Sequence, residues 1–392
     1  MLKKSSLITS TKTLGSKNSN YLRCGFLSDV HLGNNLTKTD FIISNLNKHL
    51  PDNENTQELD ILFITGDLFD KALMLTDPDS FAVKVWIYRL LNLCKKRDIV
   101  LRVLKGTPSH DWEQCGYFEL INNKAKIGAD VKYFSDIDIE FNERFGISIL
   151  YVPDNCRVDT ETIYKDVVGK LSEHNLTQVD AGIMHGTFDF QLPEIANIDK
   201  HVSDRYLDLV KYFIVAGHIH QPNRKKHLYI PASFDRLCHG DEGFKGWMLL
   251  DCYHGDEKFK KVKLTRIENK DAKRFDTVDV RKLELEDAIE KIENHAKSLP
   301  DQSYIRIYSN RGNAIFSRLN TFKTLFPFLI WDSKEERDTK LASKDLLTFK
   351  QPNVRKHITK DNIVDVTRDK LSSITDDETL INLCCLKLDE IL

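Results

Sequence analysis

Between residues 21 and 252, short apolar runs alternate with helix-length segments, and several runs stop abruptly at Asp, Gly or His. This rhythm limits the chain more than any other feature. "LRCGFLSDV" reads as a strand, 38–50 as a helix, "LDILFITGD" as a strand and 78–97 as a second helix. In that helix Phe81, Val85, Tyr88, Leu91 and Leu93 supply an apolar face. "IVLRVLKG", "ISILYVPD", "DAGIMHG", "YFIVAGHIH", "HLYIPAS" and "GWMLLDCY" follow as further strands. Strands alternating with helices predict an α/β layered core. Such sheets place their sites just beyond the strand ends, where the polar residues of this chain gather.

The chain has 392 residues, which predicts two or three domains. Its 41% hydrophobic and 30% charged residues are a globular composition. A net charge of −2 excludes a uniformly basic nucleic-acid coat but leaves local patches open. The eight cysteines include no CxxC pair and one adjacent pair, Cys384-Cys385, so reduced thiols of a cytoplasmic protein are expected, not a disulfide framework. No apolar run reaches membrane-spanning length.

Residues 1–20 read as a polar tail, 21–260 as the main domain, 261–360 as a smaller α+β capping domain, and 361–392 as a C-terminal helical docking segment. The polar stretch 253–262 is the expected linker. Residues 282–298 form an amphipathic helix by pattern, and "SYIRIYSN" a strand. From Arg306 to Lys360 there are 12 Lys/Arg against 5 Asp/Glu, a stretch that suits either phosphate contact or solvation. Leu380, Leu383, Leu386 and Leu388 form an apolar stripe suited to partner docking.

Five segments at strand ends carry chemistry: Asp29-Val-His31, Gly66-Asp67 with Asp70, Ser109-His110-Asp111, His185, and His218-Ile-His220. Singly, each is more often a turn or cap than a ligand. Together they fit a pair of divalent cations. Ions about 3.5–4 Å apart repel, and a shared carboxylate lowers that cost; Asp67 is the candidate bridge. Imidazoles and carboxylates around it suit manganese-type ions, with magnesium the other candidate. The absence of Cys from the set argues against structural zinc.

Asp-x-His, Gly-Asp-x-x-Asp, the Gly…His-Asp loop, His-Gly and Gly-His-x-His resemble the motifs of the calcineurin-like metallophosphoesterases. "GHIHQP" followed by "YIPASFDRLCHGDEGFKGW" is similar to the SbcD branch, the nuclease half of a double-strand-break repair complex. The resemblance covers roughly 21–252. It implies a four-layer β-sandwich flanked by helices and a DNA exonuclease/endonuclease. It also implies an SbcC-like SMC-type ATPase partner, a homodimer, and action in bacterial or virus-infected cytoplasm. By position, Asp29, His31, Asp67 and His220 would hold one metal, and Asp67, His185 and His218 the other. His110 would be the general acid and Asp111 the orienter of its ring, with Asp70 steadying a ligand histidine.

One loop departs from the family pattern. Gly106-Thr-Pro-Ser-His-Asp has Thr107, Pro108 and Ser109 where a single Asn is expected between Gly and His. Ser109 is the favoured substitute because it directly precedes the His-Asp pair. Thr107 could serve from a loop that bulges differently, or the second site could have lost affinity. Arg236 and His239, in the turn "DRLCHGDEG", are candidates for substrate contact. Trp112, Tyr117 and Phe118 could touch bases, though packing or a lid is the commoner use of such aromatics. Two other functions stay open: a phosphatase or cyclic-nucleotide phosphodiesterase, and a non-catalytic subunit bridging DNA to an ATPase.

Overall fold

The computed structural model describes residues 16–336, apart from 53–57, 75, 156–157, 193–197 and 242, together with 367 and 368. The expected tail before residue 16, the end of the basic stretch and the C-terminal docking segment with its leucine stripe lie outside the described residues.

The chain begins with β1 (Tyr21–Leu27), α1 (Thr39–His49), β2 (Ile61–Thr65), α2 (Pro78–Arg97) and β3 (Val100–Leu104). A one-turn helix α3 (Pro108–Asp111), then α4 (Tyr117–Lys124) and β4 (Val131–Phe134), complete the first half. The second half runs β5 (Asp138–Asn142), β6 (Ile147–Val152), α5 (Thr160–Glu173), β7 (Val179–His185), α6 (Ser203–Leu209) and β8 (Val210–Gly217). Short strands β9 (Asn223–Lys225) and β10 (Leu228–Ile230) precede a return to the first sheet through β11 (Gly246–His254) and β12 (Phe259–Glu268).

Two six-stranded mixed sheets result, ordered β12-β11-β1-β2-β3-β4 and β5-β6-β7-β8-β10-β9. Strands β2, β3 and β7 are buried at every position, as parallel strands covered on both faces must be. Their alternate residues serve different layers. Phe26, Phe63, Tyr151, Ile183 and Phe213 share one cluster drawn from both sheets. Leu27, Ile64 and Val103 turn the other way, onto Ile42, Leu46, Ile87 and Phe118 of the helices. Leu150, Met184 and Ile214 likewise pack on α5 and α6 through Ile163, Val167 and Tyr206. The chain is therefore α/β, with two large mixed sheets and helices on their outer faces.

Helix α2 has the expected bounds but presents a different face. Leu91 and Leu93 are buried, whereas Phe81, Val85 and Tyr88 are 74%, 50% and 50% exposed. Val83, Ile87, Leu90 and Cys94 cover the sheet instead, and Trp86 meets Phe118 edge-on at 6.4 Å. Two apolar stripes compete on this helix, and the one whose Trp86 meets Phe118 of α4 is the one that packs. The expected linker at 253–262 is also absent. It is the turn and second strand of a hairpin, paired from Gly246↔Glu268 to His254↔Phe259. As an edge strand β12 turns its lysines outward, so a strand reads as polar linker.

A third, all-parallel sheet follows, β13 (Phe275–Asp279), β14 (Tyr304–Ser309) and β15 (Ile330–Glu335), with α7 (Leu285–Lys297) and α8 (Leu319–Leu325). Its own core contains Val278, Ile292, Ile305, Phe322 and Trp331. Tyr304 Oη donates to the Leu36 carbonyl at 3.0 Å, tying this sheet to the loop before α1. Among the described residues no helix is long and apolar enough to cross a membrane.

Candidate metal centre

The C-terminal ends of β1, β2, β3, β7 and β8 converge on one point. Asp29, His31 and Asp67 sit there with φ of 49°, 55° and 49°, and His218 with 105°. Positive φ costs about 1–3 kcal/mol at a non-glycine residue, and four at one site mark a functional constraint. The bonds Asp29 N–H to Gly66 O and His31 N–H to Asp67 O, each 3.1 Å, hold the first two loops together. Gly66 (φ 90°) and Gly106 make the crossing feasible. A Cβ on Gly66 would lie 2.2 Å from His185 Nδ1, and one on Gly106 2.1 Å from Asp67 N.

Three groups of ligand atoms form among the described residues: Asp29, His31 and His220 on one side, Asp67, His185 and His218 on the other, and His31, Asp70 and His110 beside the first. Within each group the atoms lie within 4.8 Å of one another. Asp67 stands between the first two, its Oδ1 at 3.3 Å from His185 Nε2 and its Oδ2 at 3.9 Å from His31 Nε2. All six strand-end ligands proposed from sequence are thus brought together.

The hydrogen bonds decide what these atoms can hold. His185 Nδ1 donates to the Thr65 carbonyl at 2.8 Å, so in the neutral ring its buried Nε2, which has no hydrogen-bond partner, carries the lone pair. That lone pair faces a carboxylate oxygen. His31 Nδ1 faces Asp70 Oδ1 at 3.0 Å, which turns its own Nε2 lone pair toward His220 Nε2, 3.2 Å away. Facing lone pairs are repulsive unless a cation or proton lies between them. The donor set therefore fits divalent metal.

The local electrostatics agree. Burial alone would lower the His185 imidazolium, but the Asp67 carboxylate outweighs it and lifts the group to about 10. Burial likewise opposes ionisation of Asp67, yet His185, His31 and His110 hold it well below the usual carboxylate range. His218 is lowered by burial and by its neighbour His185. At His31 too, burial is outweighed by Asp70, Asp67 and Asp29, which raise it, so the cavity favours positive charge among its carboxylates.

The altered loop brings Thr107, and not Ser109, against Asp67 and His218. Its N–H donates to Asp67 Oδ1 at 2.6 Å, and its Oγ1 lies 3.2 Å from Asp67 Oδ2 and 3.4 Å from His218 Nδ1. Ser109, favoured from sequence, is exposed, and its carbonyl accepts the Trp112 indole N–H at 3.1 Å. Pro108–Asp111 winds into a helical turn, which carries Ser109 away from the ligands.

His110 reaches the site, its ring 5.0 Å from that of His31. Asp111 does not orient it. The Asp111 carboxylate instead accepts the N–H groups of Asp67, Phe69 and Gly106 at 3.0, 2.9 and 2.6 Å, lacing the β2 and β3 loops together. Burial and the nearby Asp67 charge push its carboxyl up to about 6. The group that orients His110 is the Asp70 carbonyl, which accepts from Nδ1 at 2.8 Å. The Asp70 side chain steadies His31, as expected, and is itself held by Asn34 Nδ2 at 3.1 Å. Sequence reasoning missed Asn34, although it lies three residues past His31.

Arg236 and His239 belong elsewhere. Arg236 donates to the carbonyls of Gly243, Ala272 and Lys273 at 3.3–3.4 Å. His239 packs edge-on against Phe275 at 5.3 Å and Tyr304 at 6.3 Å. Both staple the turn after β10 to the third sheet. Phe118 is core and Trp112 is exposed.

No protein-family model matches the chain, and no curated protein is similar to it. In structure, 47 solved chains match. One aligns over 63% of this chain and 99% of its own, with 12% identity and a TM-score of 0.36. A likeness that low carries no argument about fold or activity.

Proposed function

We propose that this chain is a two-metal phosphodiesterase acting on DNA, with the four-layer sandwich of the metallophosphoesterases. The observation that carries the proposal is the convergence of the His185, His31 and His220 ring nitrogens on the Asp29 and Asp67 carboxylates, with the buried His185 Nε2 left without a hydrogen-bond partner. Asp29, His31, His220 and Asp67 would hold one ion, and Asp67, His185, His218 and the Thr107 hydroxyl the other. Two such cations, when bound, would supply a nucleophile at neutral pH and neutralise charge on the phosphoryl oxygens. Manganese suits the mixed nitrogen and oxygen donors.

The chain's own residues do the rest. With Nδ1 bonded to the Asp70 carbonyl, His110 presents Nε2 as the atom that can deliver a proton to a departing sugar oxygen. Asp111 keeps the β2 and β3 loops in register, so Asp67 and Thr107 stay in place. DNA as substrate, an SMC-type ATPase as partner and a homodimeric assembly rest on the sequence resemblance to the SbcD branch.

Mn²⁺ titration of the full chain should reveal two ions, and His110→Asn should lower cleavage of DNA about 10²–10⁴-fold while largely sparing a bis-aryl phosphodiester, whose aryl oxide leaves without a proton. Metal content should stay at the wild-type level in that variant. Loss of metal on substituting His110 would make it a ligand and remove the acid from the scheme. A chain that binds no Mn²⁺ would end the enzyme reading.

A further inference from the structure

The four ligand histidines are not held alike. His185 is fixed by the Thr65 carbonyl and His31 by Asp70. His220 lies on the loop after β8, between residues that make few regular backbone bonds, and its ring is partly exposed. Its Nε2 must offer a lone pair to the ligand cluster, so its proton belongs on Nδ1. That atom faces Asp241 Oδ2 at 3.7 Å, a separation that carries Coulomb attraction without a formed hydrogen bond.

Asp241 is not free to move. Its Oδ2 accepts the Leu237 N–H at 3.1 Å, and its Oδ1 bonds the Lys245 ammonium. Lys245 is only 1% exposed, an unusual position for a lysine. Its Nζ also donates to Ser233 Oγ at 2.8 Å and to the His220 carbonyl at 3.0 Å. The same buried ion pair therefore touches His220 twice, at the carbonyl through Lys245 and at the ring through Asp241. A charge pair this deep is retained only where its geometry is satisfied, and here every ammonium donor has an acceptor.

We propose that Asp241 and Lys245 are positioning residues for His220 and set the affinity of the first metal site. The inference rests on the two-metal reading above. Cation binding at Nε2 makes the imidazole more acidic and strengthens the pull of Asp241 on Nδ1–H, so the pair supports His220 most when the site is loaded. Lys245 meanwhile fixes where the ring starts from by anchoring its backbone.

The test is calorimetric titration of the full chain with Mn²⁺ alone, with thermal melting of the chelated protein alongside. Wild type should bind two ions. In Asp241→Asn one of the two should weaken about 10–100-fold while the other keeps its affinity. The chelated melting temperature should fall in this variant, because the Lys245 ammonium is left buried without its carboxylate, and Asp241→Glu should recover the binding. If Asp241→Asn does not fold, the double variant Asp241→Asn/Lys245→Met removes both buried charges, and the same loss at one ion is expected. Unchanged affinity for both ions in either variant overturns the positioning role and leaves the metal centre standing. A wild type that binds no Mn²⁺ overturns the centre and this proposal with it.

Discussion

Thr107 and Ser109 both carry a hydroxyl within three residues of His110, yet only one reaches the ligands. Thr107→Val keeps the shape of the side chain and removes the oxygen beside Asp67 and His218. It should weaken the second Mn²⁺ by several-fold, because one neutral donor of about six is lost. Ser109→Ala should leave both ions unchanged. Equal effects in the two titrations would mean the loop rearranges when metal binds. The charged and imidazole ligands were readable from sequence because their chemistry allows few substitutes and each ends a buried strand. Which hydroxyl joins them was not, since it depends on the helical turn after Pro108. The role of Asp111 failed for a related reason: neighbouring residues on a helical turn do not face each other, so His110 and Asp111 cannot both point at one partner.

Helix α2 shows the same limit one level up. Its length, its Pro78 start and its stop at Asp98 (φ 53°) follow from local signals. Its buried side does not, because Phe81, Val85 and Tyr88 are spaced as well for a core as Val83, Ile87 and Leu90. Substitution separates the two stripes. Ile87→Ala, at a fully buried position between α1 and the sheet, should cost about 2–4 kcal/mol in urea unfolding. Phe81→Ala should cost less than about 1 kcal/mol, since the ring is mostly in water already. A larger loss at Phe81 than at Ile87 would show that α2 is covered in solution. Strand β12 was missed because edge strands hide their period behind outward lysines, and only its pairing with β11 identifies it.

On the scale of the whole molecule, alternation of strands and helices made the α/β class legible. That two sheets share a core was expected from the motif resemblance alone and not from the apolar pattern, because a residue pointing inward from β2 looks like one pointing at a helix. On the outer face of the second sheet, Phe188 pairs with His201 and the Tyr206 hydroxyl meets His201 Nδ1 at 3.1 Å. Burial there lowers His201 from 6.5 to about 4, even with Asp154 and Asp199 nearby. The unfolded chain therefore takes up a proton near pH 6.5 that the folded chain refuses until about pH 4. Stability from this group is complete above pH 6.5 and is lost as pH falls toward 4. A shift of about 2.5 units, at 1.36 kcal/mol each, sets the loss at about 3 kcal/mol. Other groups titrate in the same range, so the readout is a difference. Unfolding free energies of wild type and His201→Gln, measured with metal chelated, should converge by up to that amount between pH 6.5 and 4. Parallel curves would mean that water reaches His201, and that the joint between β7 and α6 opens without unfolding the rest.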